Sequence, residues 1–172
     1  MSLQRFFQDV VRRSLGDLAR RDDPAGDYLV DLLTRFARTE NLYPRGPSGW
    51  RLETVVEALL DIHDVWDERS GRFRPEQEVA LRRHIGDYTL FMTGIFQERV
   101  EQAAGARYYI AEGKRAYRFV AEHRRASGSE SPVGLYRRLA DQFEAYVGVL
   151  GYARRVYFHD HPDLPFFRPA FG

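Results

Sequence analysis

His84-Ile85-Gly86-Asp87-Tyr88-Thr89-Leu90-Phe91-Met92-Thr93-Gly94-Ile95-Phe96 is the stretch that decides the fold. From Ile85 to Phe96 it is apolar on nearly every side of a helical wheel, which predicts a helix enclosed by neighbours. It shows none of the alternation that marks a half-buried strand. Two glycines inside a helix together cost about 1–2 kcal/mol relative to alanine, so something should offset them. Gly86, Thr89 and Thr93 form a line of small residues along which a second helix or a ligand can approach the backbone. Gly113, further along, is the natural counterpart. Asp87 is the only carboxylate in this run. Enclosed there, it must be paired, hydrogen-bonded or protonated. The partners that sequence offers are Arg83, His84, Lys114, Arg115 or a tyrosine hydroxyl.

Working outward, Pro75 suits the first turn of this helix, with Glu76 and Glu78 where the helix dipole favours anions. The pattern carries it to about residue 103, and a further helix follows over about 107–125. That second helix opens with Tyr108, Tyr109, Glu112, Gly113, Lys114, Arg115 and Tyr117, and Lys114 is the only lysine in the chain. A pocket between the two helices, centred on Asp87, is therefore one expectation. Its ligand-binding candidates are His84, Asp87, Tyr88, Tyr109, Glu112, Lys114 and Tyr117. Asp87 would serve as general base or anchor, Tyr109 or Tyr117 as proton donor, and Lys114 or Arg115 as anion contact. A buried network that only fixes helix register explains the same residues without any ligand.

The pattern Gly86-Asp87-Tyr88-x-Leu90-Phe91-x-x-Gly94-x-Phe96, followed by Tyr108-Tyr109-x-x-x-Gly113-x-x-Ala116-Tyr117, resembles a group of uncharacterised bacterial all-helical proteins. The likeness covers about a fifth of the chain and implies no activity, substrate or cofactor. What it adds is that Asp87 and the tyrosines belong together.

Helical periodicity extends over most of the remaining sequence. A first helix is expected over about 3–21, capped by Ser2, with Phe6, Val10, Val11, Leu15 and Leu18 on one stripe. Residues 22–27 read as a break, and a second helix carries Tyr28, Leu29, Leu32, Leu33 and Phe36 to about residue 41. Residues 41–50, with two prolines and two glycines, read as a loop exposing Tyr43 and Trp50, followed by a third helix over about 52–66. Ser131 and Pro132 open a last helix that continues to about residue 157. Residues 158–172, rich in proline and phenylalanine, are expected to be extended. The fold class is all-α, a single domain of about six bundled helices with that tail.

With 172 residues the chain is long enough to bury a core without staples. Zero cysteines exclude disulfides, thiolate metal sites and thiol nucleophiles. No Glu-x-x-His pair, His-Glu-x-x-His zinc motif, phosphate-cradling glycine loop or nucleophile elbow occurs. His63-Asp64 lacks the upstream histidine a metal phosphohydrolase needs, and His159-Asp160-His161 supplies too few ligands for zinc, so neither metal nor cofactor is expected. Arginines make up 25 of the 26 basic residues, but the formal charge is only +1 and each arginine doublet has acidic neighbours, which points away from nucleic acid. No apolar run is long enough for a membrane span and no secretory signal is evident, so a soluble cytoplasmic protein is expected. The aromatic tail suggests an apolar patch seeking a partner. The leading expectation is accordingly a non-enzymatic interaction or scaffold module, a homodimer or bound to another protein, with the Asp87 pocket as the alternative.

Overall fold

The computed structural model describes residues 2–38, 55, 57–59, 75–102, 105–126, 128 and 134–167. Its α-helices are α1 (Leu3–Asp17), α2 (Asp23–Phe36), α3 (Pro75–Ile95), α4 (Gln97–Gln102), α5 (Ala106–Ala126), α6 (Leu135–Asp141) and α7 (Phe143–Ala153). A π-helical turn (Arg154–Phe158) and a 3-10 turn (Pro165–Phe167) follow, and no strand occurs among the described residues. The protein is an all-α bundle. None of the described helices is long and apolar enough to cross a membrane. The expected loop at 41–50, most of the expected helix at 52–66, His63, Asp64, Ser131, Pro132 and Phe171 lie outside the described residues.

α3 is the axis, as its apolar circumference requires. Every residue from Ile85 to Ile95 is buried. α5 packs along it most extensively, α7 covers a second side, and the α1–α2 pair joins through α1 against α7 and α2 against α3. The glycines set these approaches. A Cβ on Gly86 would lie 2.5 Å from the Tyr117 ring, one on Gly94 would lie 2.5 Å from Leu150 Cβ, and one on Gly113 would lie 2.5 Å from the Phe143 ring. Those positions admit close packing of α5 on α3, α7 on α3 and α7 on α5, which offsets the helix cost of glycine.

Several boundaries differ from the sequence expectation. α1 stops at Asp17 rather than near residue 21: Ala19 adopts a left-handed φ of 54° and its amide turns back to the Gly16 carbonyl. Ser2 does cap α1, accepting from the Arg5 amide at 3.2 Å. The buried stripe is led by Phe7, while Phe6 is half-buried and Leu18 exposed. The expected break at 22–27 is mostly helix, because Asp22 accepts from the Ala25 amide at 3.2 Å and Pro24 fits the first turn, where no amide partner is needed. α2 ends at Phe36. The last helix is divided at Gln142 and ends in the π turn.

The long central helix breaks at Phe96 for an identifiable reason. Arg154 donates to the Ile95 carbonyl, the group that would otherwise accept from the next turn. Its guanidinium also lies over the rings of Phe96 and Phe167, at 5.4 and 5.3 Å from their centroids.

The tail is not extended over its described part. Residues 159–167 turn back onto the bundle, burying Leu164 and Phe166. Phe166 stacks on Phe7 at 5.6 Å and meets Phe91 edge-on at 5.4 Å. Phe166 of the tail thus completes the bundle's own core, with Phe167 half-buried beside it.

Candidate functional site

Asp87 sits at the junction of three helices with 1% exposure. Its Oδ1 accepts from the Tyr28 hydroxyl at 2.5 Å and from the Tyr117 hydroxyl at 2.7 Å, and its Oδ2 accepts from Arg35 Nη2 at 3.1 Å. α2 supplies two of these donors because Tyr28 and Arg35 are seven residues apart, two helical turns, and so share a face. α5 supplies the third, brought within reach by the bare backbone at Gly86. Arg35 spans outward to Asp31 at 2.7 Å, which anchors its other side. Tyr136 closes the cluster, its ring edge-on to Tyr28 at 5.6 Å.

The electrostatics follow from this enclosure. Burial, then the neighbouring Asp87 charge, pushes both the Tyr28 and Tyr117 hydroxyls well above the usual phenol range, so both remain donors. Burial pulls Arg35 toward neutrality, but the charge of Asp87 and the bond to Asp31 more than compensate and its pKa rises. His84 shows the opposite balance. Burial, reinforced by the positive charge of Arg35, lowers it from 6.5 to about 4. It is therefore neutral near pH 7, resting against Phe36 at 6.3 Å and Tyr88 at 5.8 Å.

The expected pocket residues are thus distributed. Asp87 and Tyr117 meet directly. His84, Tyr88 and Tyr109 form an aromatic run beside them, with Tyr88 and Tyr109 at 6.3 Å. Glu112 faces Arg115 at 2.8 Å, and Lys114 pairs with Glu144 on α7, so neither Lys114 nor Arg115 is the partner of Asp87. The partners that sequence reasoning missed are Tyr28 and Arg35. Their seven-residue spacing along the apolar face of α2 was the available signal. The ring of Tyr117 fills the space against Gly86, so of the helix or ligand expected to approach there it is the helix, α5, that does.

Among the described residues three clefts can be placed elsewhere, and Asp87 lines none of these three. One, of about 480 Å³, lies between α1 and α2, where Arg12 and Arg21 face Asp22, Asp23 and Asp27. A second, of about 270 Å³, lies between α5 and α6 and is lined by Arg118, Arg124, Arg125 and Arg137 around Leu135 and Tyr136. A third, of about 470 Å³, is lined by Arg82, Lys114, Arg115 and Arg118. Arg118 and Glu122 line both of the last two, making one basic face along α5. Across it seven basic side chains meet five acids: Glu122 and Asp141 in the linings, with Glu78, Glu112 and Glu144 paired to them from beside the clefts. Arg82, Lys114, Arg115 and Arg137 have carboxylate partners in Glu78, Glu144, Glu112 and Asp141. Arg118 and Arg125 have no ion pair among the described residues.

Among the described residues no group of three or more His, Asp or Glu side chains could hold a metal ion. His159 faces Asp160 at 3.1 Å, whereas the His161 ring packs at a tilt against Phe6, 4.8 Å between centroids. Comparison with protein-family models, curated proteins and solved structures gives no match to this chain.

Proposed function

We propose that this chain is a non-enzymatic helical interaction module that receives an acidic protein segment on the outer face of α5. The observation that carries this reading is the uneven pairing of charge along that face. A chain of formal charge +1 gathers seven basic side chains against five acids there, and Arg118 and Arg125 lack ion pairs among the described residues. Such a patch attracts and orients an acidic partner.

Two further observations support the reading. Asp87, the strongest catalytic candidate, spends both carboxylate oxygens on three donors in a nearly closed space, which is the behaviour of a register-fixing network. Among the described residues only Leu18 and Val156 are large, apolar and exposed, at 36% and 40%, so charge rather than an apolar patch distinguishes this surface. Leu164 and Phe166, two of the four tail residues that suggested a homodimer patch, are buried.

Fluorescence anisotropy of a labelled glutamate-rich peptide tests the proposal. Saturable binding that weakens with salt and falls at least tenfold in the double variant Arg115→Glu, Arg118→Glu is expected, with a lysine-rich peptide inert. Equal binding by wild type and variant sinks it. Sedimentation of the chain alone at rising concentration shows whether the acidic segment comes from a second copy.

A further inference from the structure

We infer that the cleft between α5 and α6 is a receptor for a phosphate monoester, the dianionic headgroup of the acidic partner proposed above, and this inference rests on that reading. The cleft differs from the rest of the basic face in three ways. It is small, about 270 Å³, near the lower end of small-ligand pockets. Its charged lining is arginine on the basic side, and planar guanidinium forks match the oxygens of a phosphate in a bidentate manner that an ammonium does not. Its floor is not polar: Leu135 and Tyr136 lie buried beneath it, with Ala121 half-buried beside them. Four arginines above an apolar floor fit a ligand with a doubly charged head and a short carbon stem.

The arginines are set differently within it. The Arg124 guanidinium lies over the Tyr136 ring, 4.8 Å from its centroid, which holds one fork in a fixed plane at the floor. Arg137 is held to Asp141 only at 4.0 Å, the outer limit of an ion pair on the exposed side of α6. Arg118 and Arg125, seven residues and two turns apart on α5, flank Glu122 and carry no ion pair among the described residues. A carboxylate ligand brings two oxygens and a single negative charge. A phosphate dianion offers three oxygens, enough to bridge Arg118 and Arg125 from α5 to Arg137 on α6. The same chemistry can come from a phosphorylated side chain or from a free phosphorylated metabolite.

The test uses the full chain with phenyl phosphate, benzoate and a phosphoserine peptide with its unphosphorylated twin, each at matched ionic strength. Arginine side-chain NMR signals and binding isotherms are the readouts. Phenyl phosphate is expected to bind saturably on the order of 1 mM or tighter and at least tenfold better than benzoate. The double variant Arg118→Ala, Arg125→Ala should lose that binding, while Arg13→Ala on α1 should not. Tighter binding of the phosphopeptide than of phenyl phosphate assigns the phosphate to a protein, and the reverse order assigns it to a metabolite; either supports the receptor. No saturation with phenyl phosphate, equal binding of benzoate, or a response unchanged in the double variant overturns it. If the glutamate-rich peptide still binds while phosphate does not, this inference fails alone and the interaction reading stands.

Discussion

Tyr117 and Arg118 are consecutive on α5, yet they serve opposite sides of the molecule. Tyr117 is fully buried and donates to Asp87, in a cluster where a carboxylate, two phenols and a guanidinium satisfy one another. Arg118 is exposed, lines two clefts and has no ion pair among the described residues. Inside, low dielectric makes any unmatched charge costly, so complete matching is required for the bundle to form. Outside, water tolerates an unmatched charge at little cost, so matching there is not required for the bundle to form. A perturbed titratable group in the core is by itself weak evidence of function when every partner is already supplied.

That contrast can be broken most directly at its inner side. Asp87→Ala should destabilise the fold by about 3–5 kcal/mol, measured by urea unfolding, since it leaves Arg35 and two hydroxyls without their shared acceptor. Asp87→Asn keeps the shape and one oxygen for the phenols and should cost less. A loss below about 1 kcal/mol for both would mean the cluster is not what holds the helices in register.

His84, at the edge of the enclosed region, sharpens the comparison through pH. Its folded-state value of about 4 lies below the ordinary 6.5, so the unfolded chain binds the additional proton between those values. Stability from this group is therefore complete above about pH 6.5 and falls as pH drops toward 4, by at most about 1.4 kcal/mol per pH unit. His84→Phe, which keeps the ring contacts to Phe36 and Tyr88, should lose less stability between pH 7 and pH 5 than wild type. Parallel pH profiles would place His84 in contact with solvent.

The smallest effect belongs to the outer side. The double variant Arg118→Ala, Arg125→Ala should shift the unfolding free energy by no more than about 0.5 kcal/mol. A larger loss would show that these arginines support the fold, and would weaken the case that they await a partner.

The fold class was legible because residues 84–96 admit only an enclosed helix, and the need of Asp87 for partners followed from the same run. A tyrosine hydroxyl was among the partners offered, and Tyr117 and Tyr28 supply two of the three donors, but that α2 would bring Tyr28 and Arg35 was not legible. Tyr28 and Arg35 lie 59 and 52 residues earlier, and helical spacing says what shares a face but not which face meets which. Arg83, Lys114 and Arg115 were closer in sequence yet none is the partner that Asp87 takes. The end of α3 was hidden for a similar reason, because the group that interrupts it, Arg154, arrives from 59 residues away. The arginine doublet of α5, Arg124-Arg125, was visible, and its acidic neighbour Glu122 suggested pairing within the helix, but Arg125 has no ion pair among the described residues.

The three-way joint at Asp87 also bears on how the chain reaches its native state. A half-built bundle in which only α3 and α5 have met would already have withdrawn a carboxylate from water, with a single phenol in return. The other two donors arrive together, because both belong to α2, and only then is the desolvation offset. Partly assembled intermediates are thereby penalised, and α2, α3 and α5 are coupled into a single cooperative folding unit although stretches of sequence of very different length separate them.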